Sequence, residues 1–150
     1  MPFQPRVAIL VPAPDYYEKW QPAFARKAAA LTAAGLIVEQ RVWTDPGDLS
    51  GYDLILPLFA WGYQRDVAAW YALLDRLETE GRPVVNPVPV LRWNSDKAYL
   101  AELSEAGVAV VPTSMRAGER TSREVAVIGA DGAAAYDFDI EWDVSAEVAI

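Results

Sequence analysis

The sequence predicts an α/β domain, a mainly parallel sheet of about five strands with flanking helices, followed by a C-terminal β-hairpin. Three observations carry this. Short apolar runs alternate with amphipathic segments of helical length, the pattern of βαβ units whose crossover helices cover both faces of a sheet. The run Arg6–Val11 is continuously apolar after its first residue, as a strand covered on both sides must be. In the tail, residues 136–144 switch instead to a strict two-residue alternation after an Asp-Gly pair.

Taken in order, Arg6–Val11 (RVAILV), closed by Pro12 and Pro14, is the first and central strand. Phe24, Ala28 and Leu31 recur at helical spacing between Pro22, tolerated in a first turn, and Gly35, a C-terminal stop, so Pro22–Ala34 is a helix. Leu36–Trp43 (LIVEQRVW) is an edge strand, followed by turn chemistry at Asp45–Gly51. Asp53–Phe59 is the third strand, with Pro57 marking its end or a bulge. Val67, Trp70, Tyr71, Leu74 and Leu77 make a helical stripe through Arg65–Glu80, ended by Gly81. Pro83–Asn86 is a short fourth strand, Val90–Trp93 a helical turn, Asp96–Ala106 a helix and Val108–Val111 a fifth strand. The body, a Rossmann-like arrangement, runs over residues 1–114, and residues 115–150 form the tail.

Composition prunes the chemistry. A chain of 150 residues fits one domain and hides roughly 68–70% of its unfolded surface. It contains no His and no Cys, which excludes Ser-His-Asp and Cys-His catalysis, disulfides and His- or Cys-ligated metals. A net charge of −8 lacks the basic footprint that nucleic acid demands. The apolar runs fall short of a spanning helix and the N-terminus lacks a signal-peptide layout, so no membrane role and a cytoplasmic location are expected. Residues 1–130 hold all 13 basic and 15 of the 21 acidic side chains, and the remainder of the acids crowd the tail.

In a parallel sheet the ligand crevice lies beyond the carboxyl ends of the strands, which brings the loops Pro12–Tyr17, Ala60–Arg65 and Asn86–Lys97 to one rim. No G-x-G-x-x-G follows the first strand, and no P-loop occurs. Tyr16, Tyr17, Trp61 and Tyr63, with Arg65 and Arg92, suit a pocket in which rings fix an organic substrate and guanidinium groups pair a carboxylate; ordinary packing and surface bridges account for the same residues one by one. Asn86 and Asn94 of the third rim loop are assigned to the same substrate site. Asn94 or Ser95 can cap the next helix, which places Asp96 and Lys97 in its first turn. A lysine there is unfavourable unless an anion is shared with the helix terminus, so Lys97 is a candidate phosphate ligand; neutralisation by Asp96 at the surface is the alternative.

The run N-P-x-x-V-L-R-W-N-x-D-K-x-Y-L-x-E-L over 86–103, followed by G-V-x-V-V-P-T, resembles the junction between the N-terminal (pre-ATP-grasp) domain and the ATP-binding region of ATP-grasp ligases. The branch it resembles is the bacterial one that includes glutathione synthetase-like enzymes and the ligase of cycloserine biosynthesis, with support over residues 6–114 from Arg6–Val11, Gly35–Trp43 and PLFAWGY at 57–63. The resemblance implies a carboxylate–amine ligase that uses ATP and magnesium and passes through an acyl phosphate, with an N-terminal domain that helps bind the acceptor, an amino acid or other carboxylate. It also implies that Lys97 contacts nucleotide phosphates. Beyond Thr113 the family's second ATP-binding lysine, adenine hinge and magnesium ligands find no counterpart, so the chain is expected to be a truncated or stand-alone N-terminal domain that does not turn over ATP by itself. No catalytic residue is assigned. The rival expectation is a non-catalytic module that binds a metabolite or dimerises.

In the tail, Asp137, Asp139, Glu141 and Asp143 alternate with apolar residues. Neighbours on one strand face lie ~6.5–7 Å apart, too far to chelate one ion easily, so these acids read as a solvated face and no metal site is assigned. The apolar face must pack on the main domain or on a partner, which makes a homodimer conceivable.

Overall fold

The structure, a computed structural model, describes residues 3–96 and 99–110 and, beyond them, the backbone of strands 114–115, 121–128, 134–142 and 148–149. The chain divides into two compact units, Met1–Arg92 and Trp93–Ile150.

The first unit is built on β1 (Arg6–Val11), the middle strand of a three-stranded parallel sheet ordered β2-β1-β3. β2 (Ile37–Val42) pairs along its whole length, from Arg6 opposite Ile37 to Val11 opposite Val42. β3 (Leu54–Leu56) pairs from Val7–Leu54 to Ile9–Leu56. It stops at Pro57, which has no N–H to offer a ladder. The expected fourth strand shrinks to one bridge, Ile55–Val84, framed by Ile55 N–H to Pro83 O (2.8 Å) and Val85 N–H to Ile55 O (3.1 Å). Pro83 and Pro87 bracket this segment and cannot donate, so the ladder does not lengthen.

Alternation along β1 divides the core into two layers. Ala8 and Leu10 face a cluster of Trp43, Leu49, Tyr52 and Ile55 closed by Trp70, Leu73, Leu74 and Leu77 of α2 (Val67–Thr79) and by Val88. Val7, Ile9 and Val11 face Leu56, Phe59, Trp20, and Phe24 and Leu31 of α1 (Gln21–Ala33). Full burial of one such side chain contributes about 1.5–3 kcal/mol, so the two helices contribute unequally: α2 has four buried residues and α1 none. Much of the exposed face of α1 is alanine, which favours helix without adding buried area.

β2 is the edge strand the sequence predicts, and it is fastened by polar contacts. Glu39 accepts from Arg6 (2.7 Å) and from the Tyr52 hydroxyl (2.6 Å), and Tyr52 accepts in turn from Arg41 Nε (2.7 Å). The bonds from Arg6 and Tyr52 hold the Glu39 carboxyl below its ordinary pKa. Burial, then the bond to Glu39, raises that of the Tyr52 phenol.

The segment expected to be a helical turn at Val90–Trp93 is a full helix, α3 (Val88–Ser95), entered directly after Pro87. Asn94 and Ser95 lie at the end of this helix, and the described part of the next, α4 (Tyr99–Glu105), follows Asp96, whose carbonyl accepts from Tyr99 N–H at 3.5 Å; residues 97 and 98 lie outside the described residues.

In the second unit the Trp93 indole N–H donates to Glu102 (2.6 Å) and its ring lies 4.8 Å from that of Tyr99. Val108–Val110, expected to be strand, carry no strand pairing; Val111 lies outside the described residues. The backbones of β4 (Ser114–Met115) and β7 (Val148–Ala149) pair antiparallel, as do β5 (Thr121–Ile128) and β6 (Ala134–Trp142). The Asp131–Gly132 turn lies outside the described residues. Among the described residues no helix is long and apolar enough to cross a membrane.

Candidate functional site

The carboxyl ends of the three parallel strands lie together, and sheet-like hydrogen bonds run past the ends of β2 and β3. Trp43 N–H reaches Val11 O (3.0 Å) and Phe59 N–H reaches Leu10 O (3.1 Å), which draws the loops after β2 and β3 to the last residues of β1. The loop after β1 turns at once, because Pro12 and Pro14 cannot continue a ladder, and Tyr16 N–H bonds Ala13 O at 3.0 Å. The three loops enclose an open cleft of about 220 Å³ lined by Ala13, Asp15, Tyr16, Trp43, Thr44, Trp61, Gly62, Arg65 and Asp66.

Its walls are aromatic and interlocked. The Trp61 ring stands 5.4 Å from Phe59 in the core and 6.3 Å from Tyr16. Trp43 is buried, packs edge-on to Trp70 at 5.9 Å, and donates its indole N–H to the Trp61 carbonyl (3.1 Å), so a core residue fixes the loop that carries Trp61. Gly62 adopts φ +85°, and a Cβ there would meet the Tyr16 ring at 3.0 Å; its missing side chain permits both the turn and the approach of the ring.

The charges are mixed. Arg65 and Asp15 form an ion pair at 3.5 Å with side chains 45% and 74% exposed, a geometry of little energetic weight. Asp66 caps α2, which starts at Val67 and not at Arg65, its carboxylate accepting from Ala69 N–H at 3.0 Å. Burial foremost, and then a hydrogen bond to Glu18, raise the pKa of the Tyr16 phenol, which stays protonated at neutral pH.

Of the residues selected from sequence, Tyr16, Trp61 and Arg65 come together on this cleft. Tyr17 lies 5.2 Å from Tyr16, but it is 79% exposed and does not line the cleft. Tyr63 packs on Trp70 at 5.5 Å, with the core on the α2 side. Arg92 bonds Asp75, lies 3.7 Å from Glu78 and stacks over Tyr71 at 5.6 Å, so its guanidinium is occupied by helix α2. Asn86 is exposed ahead of Pro87, and Asn94 is exposed near the end of α3. Lys97 lies outside the described residues.

The structure adds Ala13, Asp15, Trp43, Thr44, Gly62 and Asp66 to the lining. Trp43 and Thr44 follow β2 directly, so the rim rule applied to the second strand, as it was to the first and third, points to them. Among the described residues the cleft sets two acidic residues against one guanidinium, a charge balance that favours no triphosphate. Among the described residues no cluster of three potential ligands could hold a metal ion.

Residues 7–86 match the family described as D-cycloserine synthetase DcsG, N-terminal domain. The chain is 32% identical over 87 residues to the cycloserine biosynthesis protein DcsG of Streptomyces lavendulae, covering 57% of this chain and 29% of that protein. It is also similar to the crystal structure of D-cycloserine synthetase DcsG, with a TM-score of 0.64 and 25% identity over 77% of this chain and 38% of that one. The chain thus spans a minor part of the length of either relative, and the whole cleft falls within the matched residues. The chain belongs to the family of D-cycloserine synthetase DcsG N-terminal domains.

Proposed function

We propose that this domain binds the small-molecule substrate of an ATP-grasp carboxylate–amine ligase, in the cleft at the carboxyl end of its sheet. One observation carries the reading: within the family-matched span, three strand-end loops converge on an aromatic-walled cleft with a few polar groups, in the crevice where open parallel sheets place their ligands. Membership in a synthetase family supports a ligase context. The sequence resemblance over 86–113 supports extending it to acyl-phosphate chemistry, with Lys97 as a phosphate contact. On this reading the domain supplies substrate binding in the cytoplasm, and the carboxylate-activating machinery is not part of the cleft.

Calorimetric titration with a panel of amino acids and related carboxylates, on the wild-type chain and on Trp61→Ala, tests the substrate site. At least one compound is expected to bind, with affinity falling tenfold or more in the variant; binding unaffected by Trp61→Ala, or no binding at all, overturns it. For the nucleotide side, Mg-ATP is expected to raise the melting temperature, since a ligand at about 100-fold over Kd stabilises by ~2.7 kcal/mol. Lys97→Ala is expected to abolish that rise. An unchanged rise in the variant removes Lys97 from the phosphate site, and no rise in either chain argues against nucleotide binding by this domain.

A further inference from the structure

We infer that the cleft grips its ligand by an ammonium group and not by a carboxylate, so that its ligands are small alkylammonium compounds, zwitterions included. The inference rests on the substrate-site reading above and adds the sign of the charge recognised. Two carboxylates, Asp15 and Asp66, line the cleft against one guanidinium, Arg65, and that guanidinium already faces Asp15 at 3.5 Å.

An incoming carboxylate must share Arg65 with Asp15 and sit near Asp66, both like charges. An ammonium meets a like charge only at Arg65, which Asp15 partly offsets. The one described bond to the Asp66 carboxylate comes from Ala69 N–H, and a carboxylate has about four acceptor sites, so accepting from a ligand is compatible with capping α2. Tyr16 and Trp61, both partly exposed, line the same space, and aromatic π systems attract organic cations and repel anions. A volume of about 220 Å³ lies below the ~300–1,000 Å³ of drug-sized sites and suits a ligand of amino-acid size.

The test is an NMR titration of the full chain at pH 6.5 with three matched probes: alanine amide, a cation; N-acetylalanine, an anion; and alanine, a zwitterion. Alanine amide and alanine are expected to shift the Tyr16, Thr44, Trp61 and Gly62 resonances and to bind at least tenfold more tightly than N-acetylalanine. Asp66→Asn, which keeps a capping side chain, is expected to weaken alanine amide at least fivefold. Arg65→Gln, which frees Asp15, is expected to strengthen it. If N-acetylalanine binds as tightly as the amide and Arg65→Gln abolishes its binding, the cleft is a substrate site that reads carboxylates, and the inference alone fails. If none of the probes shifts the cleft resonances while the variants remain folded, both the inference and the substrate-site reading fail.

Discussion

Gly62 shows how one residue shapes the site. Its φ of +85° lies where a side chain costs about 1–2 kcal/mol, and its contact face is the Tyr16 ring. Gly62→Ala is expected to destabilise the chain by about that amount, measured by urea denaturation, and to weaken ligand binding by displacing Tyr16. Asp66→Ala removes a helix cap and is expected to cost about 0.5–2 kcal/mol in the same assay. The partly buried Tyr16 phenol has a raised pKa, burial being the larger cause and Glu18 the next. Above the ordinary tyrosine value of about 10 the unfolded chain loses this proton before the folded one does, so stability falls as pH rises there. Tyr16→Phe is expected to flatten that alkaline fall and to remove one late step from an absorbance titration. The stripe of α2 was legible, but its start was read at Arg65, two residues ahead of Val67, because the Asp66 cap was not recognised. Trp43 and Thr44 become legible only when β2 is counted with the strands whose carboxyl ends form the rim.

Among the elements, α2 and α1 differ in how strongly they hold the sheet. Leu74 is fully buried in α2, so Leu74→Ala is expected to cost about 2–5 kcal/mol by equilibrium denaturation; Leu31→Ala, in the half-buried α1, is expected to cost distinctly less. Edge strand β2 depends on Glu39, whose pKa in the fold is lowered by Arg6 first and Tyr52 second. A lowered carboxyl pKa contributes stability that is present above the unfolded value, here 4.5, and lost as pH falls through the folded value. Glu39→Gln is therefore expected to reduce stability near neutrality and to shrink the further loss below about pH 4.5, read as melting temperature against pH. Both main helices and the central strand were visible in periodicity and punctuation. The fourth strand was not, because an apolar Val-Val pair reads as strand whether or not flanking prolines let it extend. Helix α3 was underread for a related reason: Pro89 lies in its first turn, where a missing N–H costs nothing.

At the scale of the whole molecule, a small parallel sheet and three loops concentrate aromatic surface and opposed charge in one place, while the other predicted guanidinium is engaged elsewhere. Arg92 entered the predicted pocket because its segment follows a strand-like run; in the fold it meets Asp75 and Glu78 of α2, a pairing that the sequence interval of more than a dozen residues does not reveal. The rule that ligands lie beyond the carboxyl ends of parallel strands located two of the three contributing loops, and the residue chemistry within them set the charge preference. The most direct measurement is a crystal structure of the chain soaked with alanine amide. The account predicts the ligand against the Tyr16 and Trp61 rings with its ammonium nitrogen about 3 Å from an oxygen of Asp15 or Asp66. A ligand bound outside that cleft, or one turned so that its amide end meets the carboxylates, would contradict it.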